Sequence, residues 1–408
     1  MTKHLRHGTV IAAAGLLAAA AACSVPQTTP PGFAGRQLAA ERGAEGSGGG
    51  GAGGGGADGD RTFTLLASGD VLPHASVIDR AADDAGGQGY DFRPMLKGAA
   101  PAVSGADLAI CHMETVYGQR GGPYTGYPSF KSPPEVAAAL RATGYDSCST
   151  ASNHTLDDGA PGIARTLDAL DEAGVAHAGS ARSAAEAARP TLLKAGKAKD
   201  AAKVAHLAYT YGTNADEPPA GQPWAVAVLD QDTIVADARA ARRAGADVVV
   251  ASLHWGTEWQ EAPDDDQLDL AHTLTASATG GRPDIDLIIG THAHVPQAYE
   301  KVNGTWVVYG MGDQIAGAMV NDEGAQEPRG NESSMARFTF APPARPGARW
   351  TVAKAEYLPQ WYDPSAGRVV GLGTPPADGT GRLRAIRDRI SGVVLSRGAA
   401  EDGLVLGK

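Results

Sequence analysis

The chain is 408 residues long, 43% hydrophobic and 20% charged, enough to bury a large core. A formal net charge of -11 with no compensating basic block excludes a nucleic-acid binder, and three cysteines exclude a disulfide-rich scaffold. Many of the 54 glycines fall in one low-complexity run, which leaves the remainder with ordinary globular composition.

Lys3, His4, Arg6 and His7 precede an apolar run from Val10 to Ala22 that is too short to span a bilayer comfortably. A basic start, a short apolar core and small residues make an export signal. It ends in Ala20-Ala21-Ala22-Cys23-Ser24, which resembles bacterial lipoprotein signals, although Ala20 stands where Leu is usual. Residues 1–23 are therefore expected to be a lipoprotein-type signal peptide with Cys23 lipidated. The protein would then sit on the outer face of the cytoplasmic membrane, reaching it through that lipid. Residues 24–60, rich in Pro and then in Gly, cannot offset the entropy of ordering and are expected to be a flexible linker.

One folded domain is expected over residues 61–396, followed by a tail at 397–408. Thr62 to Ser68 reads as a strand ending in Gly69-Asp70, with His74 shortly after. Ala106 to Cys111 is a second strand, ending in His112-Met113-Glu114. A Gly/Pro/Tyr-rich loop from Gly118 to Pro134 is long enough to be functional. Pro134 to Thr143 reads as a helix capped by Gly144, and Gly162 to Ala173 as one closed by Gly174. Between them lies Ser152-Asn153-His154-Thr155-Leu156-Asp157. Lys203 to Thr210 is a strand whose His206 reads as structural. Helices at Thr233 to Ala244 and Asp265 to Ala278 feed two further strands, ending in His254 and in Gly290-Thr291-His292-Ala293-His294. Trp306 to Tyr309 leads to Gly312-Asp313. Strands near Met335 to Phe340 and Trp350 to Leu358 look antiparallel, and a helix spans Arg382 to Ser396. Strand–helix repeats predict an α/β fold with a mostly parallel sheet early on.

Strand ends thus deliver Asp70, Glu114, Asn153 with His154, His254, and His292 with His294. In an extended segment residues two apart face the same way, so His292 and His294 should converge at the sheet's C-terminal edge. Carboxylates, an amide oxygen and imidazoles suit divalent Mn, Fe or Zn, and two ions sharing a carboxylate would use about this many ligands.

These motifs carry a resemblance. Gly69-Asp70, Met113-Glu114, Ala151-Ser152-Asn153-His154 with Asp157 and Gly159, His254-Trp255-Gly256-Thr257-Glu258, His292-Ala293-His294 and Tyr309-Gly310-Met311-Gly312-Asp313 make Phe63 to Ala316 similar to the CapA (poly-γ-glutamate capsule synthesis) family. That family is related to the calcineurin-like metallophosphoesterases. The resemblance implies a four-layer α-β-β-α sandwich. It also implies Asp70 as first carboxylate ligand, Glu114 as bridging carboxylate, Asn153 as amide ligand, and His254, His292 and His294 as further ligands. By the same resemblance His154 protonates a leaving oxygen. Phosphoesterases proper carry a histidine where this chain has Leu72, and the family often has Asn at His112 and at Asp313. His74 or His112 is a candidate for the missing ligand.

Glu258 reads equally as a partner behind a ligand histidine or as a solvated acid. Trp255 is expected to wall and orient the His254 imidazole, and Asp157 to serve the N-terminus of the following helix. Cys111 and Cys148 both sit at strand ends and could pair in an exported protein, but unpaired thiols are the favoured reading. The resulting expectation is an envelope-polymer protein, acting as a metal-dependent hydrolase on a phosphoester or envelope-polymer substrate. A non-catalytic polymer binder with a degenerate site and a metal-dependent γ-glutamyl amide hydrolase or transferase are the rivals.

Overall fold

The computed structural model describes residues 61–196, 200–214, 218–321, 323–345, 347–374 and 380–408. The expected signal peptide, Cys23 and the 24–60 linker lie outside the described residues.

The chain builds a first sheet, leaves it for a second, and returns. β1 (Phe63–Val71), β2 (Leu108–Met113), β3 (Ser147–Ser149) and β4 (Ala176–Ala178) lie side by side and parallel. β5 (Thr191–Ala195), β6 (Ala202–Thr210) and β7 (Val248–His254) open the second sheet, and a small hairpin, β8 (Ala278–Thr279) and β9 (Arg282–Pro283), precedes β10 (Leu287–Thr291). With β11 (Tyr299–Val302) and β12 (Thr305–Val308) the second sheet has the order β11-β12-β10-β7-β6-β5. The chain then adds β13 (Asp313–Ile315), β14 (Glu332–Ala341), β15 (Thr351–Asp363), β16 (Arg368–Gly371) and β17 (Leu404–Leu406) to the first sheet. β14 runs antiparallel to both β1 and β15, as the sequence predicts. Residues 397–408 are not a tail: Leu404, Val405 and Leu406 pair with Ala355, Glu356 and Tyr357 as a parallel strand.

Side-chain alternation sorts the core into three seams between four layers. Leu65 and Ala67 of β1 pack between the sheets with Val248 and Val250 of β7, Leu287 and Ile289. Leu66 faces the other way, onto helices contributing Val77, Leu140 and Leu167. Val249, Ala251 and Leu253 face helices contributing Ile234, Ala238 and Leu274. The order is helices, sheet, sheet, helices, an α-β-β-α sandwich.

The connecting helices start and stop by local chemistry. Asp230 accepts from Thr233 N at the head of Gln231–Arg243, and Asp264 forms a capping box with Gln267 at the head of Asp265–Ala276. Gly144 and Gly174 end their helices with φ of 115° and 74°, a region that a side chain disfavours.

Cys111 and Cys148 are bridged, correcting the expectation of free thiols. They are register partners on adjacent strands with Cα atoms 4.4 Å apart, which is within disulfide reach. Cross-strand register decides this, and sequence spacing does not reveal it.

Candidate metal centre

The site gathers where strands of both sheets end. Asp70, in the last turn of β1, is flanked by register partners on both sides, His112 of β2 and Asp313 of β13. β13 can come this close because residue 69 is glycine: a Cβ there would collide with the Gly312 carbonyl oxygen. Asp70 N donates to that same oxygen at 3.1 Å. Glu114 follows β2 directly. His254 ends β7, its Nε2 2.9 Å from Asn153 Oδ1 and its Nδ1 3.0 Å from Thr291 Oγ1.

His292 and His294 converge, but not by strand alternation. β10 stops at Thr291, and both histidines adopt left-handed backbone, with φ of 94° and 58°. Such conformations are strained for non-glycine residues and persist only where neighbours over-determine them. Here His292 N donates to Asp70 Oδ2 at 3.1 Å, and Trp259 N donates to the intervening Ala293 carbonyl at 2.9 Å. The two ring centres end 6.0 Å apart.

Donor atoms of Asp70, Glu114, His294 and Asp313 all lie within 4.8 Å of one another. So do those of Asp70, His112 and His254, and those of Glu258, His292 and His294. Asp70 Oδ1, both Glu114 carboxylate oxygens, His112 Nε2, His292 Nδ1 and Asp313 Oδ2 are buried with no hydrogen-bond partner. Buried polar atoms are normally satisfied, so six neighbouring orphans of ligand type are what a metal-binding site presents. They fit a divalent cation.

The electrostatics agree. Burial and then Asp313 push Asp70 well above the carboxylate range, and burial with Asp70 does the same to Glu114. Burial holds His112 down at about 3, and burial with neighbouring histidines keeps His254 and His292 well below normal. His294 is the exception: against burial, Asp313, Glu114 and Asp70 raise it well above its usual value. Neutral imidazoles offer lone pairs, and a cation is what would make the buried carboxylates ionise.

His154 stands beside this cluster. Its Nδ1 is 2.7 Å from Asp157 Oδ2, which also accepts from Phe130 N at 2.6 Å. Asp157 therefore does not serve the following helix as expected; that helix starts at Gly159 behind Asp158. The spacing of three between His154 and Asp157 was the available signal. Phe130 sets its ring edge-on to His154 at 4.7 Å.

Every ligand candidate except His74 is brought to the cluster, with differences at its margin. Glu258 is half-buried and lies on the His292–His294 side. His112 joins a donor group, while His74 joins none among the described residues. The His74 ring packs edge-on against Phe130 at 5.0 Å, and burial lowers it to about 4. Trp255 does not wall His254: it points to the opposite face, stacks on Tyr309 at 6.1 Å and donates to the Tyr309 carbonyl. What flanks the His254 ring is His112 at 4.7 Å and Tyr211 at 6.3 Å. Tyr211, which the sequence did not single out, also lies 4.6 Å from the His292 ring and is 47% exposed, forming a rim.

The family described as "Bacterial capsule synthesis protein PGA_cap" matches residues 64–318, more than half of the 408. The chain belongs to this PGA_cap family. Relatives include a "Probable polyglutamine synthesis accessory protein" of Mycobacterium tuberculosis, 27% identical over 220 residues, covering 51% of this chain and 55% of that protein. The "PGA biosynthesis protein CapA" of Bacillus subtilis is 25% identical over 181 residues, covering 44% of this chain and 45% of that one. The match to this PGA_cap chain thus spans about half the length of these curated relatives. Among solved structures, a calcineurin-like phosphoesterase of Bacillus subtilis superposes with a TM-score of 0.43 at 16% identity, covering 81% of this chain and 97% of that chain.

Proposed function

We propose that this chain is an exported, lipid-anchored protein of capsule or cell-envelope polymer synthesis of the poly-γ-glutamate type. Its activity is metal-dependent hydrolysis of a phosphoester or related bond. Membership of the PGA_cap family and the names of its relatives support the setting. One observation carries the chemistry: buried ligand-type atoms without partners, contributed by both sheets, fall in adjoining donor groups linked through Asp70 and His294.

Asp70, Glu114, Asn153, His254, His292 and His294 would hold a divalent Mn, Fe or Zn ion, which would supply charge to stabilise an oxyanion developing on the substrate. The chain's own residues do the rest. Asp157 holds His154 through Nδ1, which leaves Nε2 as the nitrogen that passes a proton to the departing oxygen. Phe130 fixes the ring from its edge, and the exposed face of Tyr211 borders the approach.

The test is metal per chain by elemental analysis of the purified protein, coupled to a panel of phosphoesters and γ-glutamyl amides. Stoichiometric transition metal with phosphoester turnover is expected, and His254→Ala and His292→Ala should lower the metal while secondary structure stays. No metal after mild purification, and none on reconstitution, would sink the hydrolase reading in favour of a polymer binder. Turnover of amides alone would move the substrate class. For the anchor, Cys23→Ala should shift the protein out of the membrane fraction, and unchanged fractionation would rule out lipidation.

A further inference from the structure

Two neighbours of Asp70 compete for the same task. Asp313 and His112 flank it at the same level on adjacent strands, each buried, each with one unpartnered donor atom. Leu72, two residues beyond Asp70, offers no donor and packs with Phe130, Ala316 and Met319. A fourth ligand near Asp70 must come from one of the flanking strands.

Asp313 fits that role on three counts. Its carboxylate lies within 4.8 Å of donor atoms of Asp70, Glu114 and His294 together, whereas His112 groups with Asp70 and His254. Its two oxygens divide the work: Oδ1 is 2.9 Å from His294 Nδ1, and Oδ2 is buried and free. Finally, Asp70, Glu114 and Asp313 are three buried carboxylates whose ion-pair partners among the described residues are histidines alone. Uncompensated charge of this density is costly unless a cation sits among it.

We propose that Asp313 is a direct metal ligand, completing with Asp70, Glu114 and His294 an oxygen-rich position that prefers Mn2+ to Zn2+. This position is chemically distinct from a second, nitrogen-rich position on the side where His254 Nε2 lies 2.9 Å from Asn153 Oδ1 and the His254 and His292 rings are 4.7 Å apart. The inference rests on the metal-centre reading above. Three carboxylates and one imidazole favour a harder ion, and two imidazoles with an amide oxygen favour a borderline one. The two ligand sets share no side chain, so the two positions can be emptied separately.

The experiment uses the metal-stripped full-length protein in detergent, titrated with Mn2+ or Zn2+ by equilibrium dialysis, with secondary structure followed by circular dichroism. Wild type should take up two Mn2+ with different affinities. Asp313→Asn keeps an oxygen that can accept the His294 N–H, so it preserves a purely positioning role while exchanging a charged ligand for a neutral amide that holds Mn2+ more weakly. If Asp313 binds the ion, Asp313→Asn and Asp313→Ala both weaken one Mn2+ by at least about 100-fold, beyond what loss of a supporting partner usually gives. The other Mn2+ and the tighter Zn2+ stay in place. Wild-type Mn2+ binding by Asp313→Asn overturns the proposal and leaves Asp313 as a positioner of His294. Loss of the ion in His112→Ala with retention in Asp313→Asn overturns it in favour of His112. Should Asp313→Ala not fold, the near-isosteric Asp313→Asn decides. A wild type that binds no divalent ion removes the metal-centre reading itself, a result distinguishable from both.

Discussion

At the scale of single residues, the roles of His154 and the ligand histidines should separate by experiment. His154 is held through Nδ1 by Asp157 and joins none of the donor groups among the described residues. His154→Ala is therefore expected to lower kcat by roughly 100- to 10,000-fold, the usual range for a lost general acid, with metal content unchanged. Asp157→Asn should lower kcat by less, because the ring keeps a partner of the same shape. A fall in bound metal with His154→Ala would make His154 a ligand instead. Asp70, Glu114, His254, His292 and His294 were legible because each stands at or just past the end of an apolar strand, and strand ends are where such folds build sites. The Asp157 role was not, since it depends on a loop that brings Phe130 back across 27 residues. Tyr211 was hidden for the same reason: only the register of β6 beside β7 sets its ring near His254.

Among the elements, long strands with clear alternation were legible and short ones were not. β3, β4 and β17 have three residues each, too few to show a period of two. The helix Ala75–Asp84 escaped because its cap position, His74, makes no side-chain cap bond and its apolar face reduces to Val77, Ile78 and Ala81. Cross-strand partners are invisible in one sequence, which is why the Cys111–Cys148 bridge was misjudged. That bridge ties β2 to β3 immediately before His112 and Ser149, which contact each other at 2.6 Å. With a sequence separation of 37, it should stabilise the fold by roughly 3–4 kcal/mol in the chain-entropy account. Denatured, non-reduced protein carrying Cys23→Ala should show no reactive thiol, and reduction should lower its denaturation midpoint. Two reactive thiols before reduction would refute the bridge.

For the whole molecule, the site works only if the two sheets hold their alignment. Asp70, Glu114 and Asp313 belong to the first sheet or its strand ends, and His254 and His292 to the second. His206 pins the sheets together at one interior point. From β6 it reaches Ser147 of β3 through Nδ1 at 2.9 Å and Ser252 of β7 through Nε2 at 2.8 Å. Neutral imidazole suits this bridge, with one nitrogen donating and the other accepting. Burial lowers His206 from 6.5 to about 3 in the folded protein. The unfolded chain therefore binds a proton that the folded one refuses between those values, and stability must fall as pH falls. The contribution is complete above pH 6.5, declines from there, and is exhausted near pH 3. Between pH 7 and pH 5 this residue alone should cost about 2 kcal/mol, in the direction of acid destabilisation. His112 and His74, lowered by burial to about 3 and about 4, add to the same trend, so the wild-type slope is not diagnostic by itself. His206→Gln isolates it: the variant should be less stable at pH 7, and its proton uptake on unfolding at pH 5 should drop by nearly one. Chemical denaturation across that range measures both quantities. An unaltered pH slope in His206→Gln would mean that protonation of His206 is not what loosens the two sheets in acid.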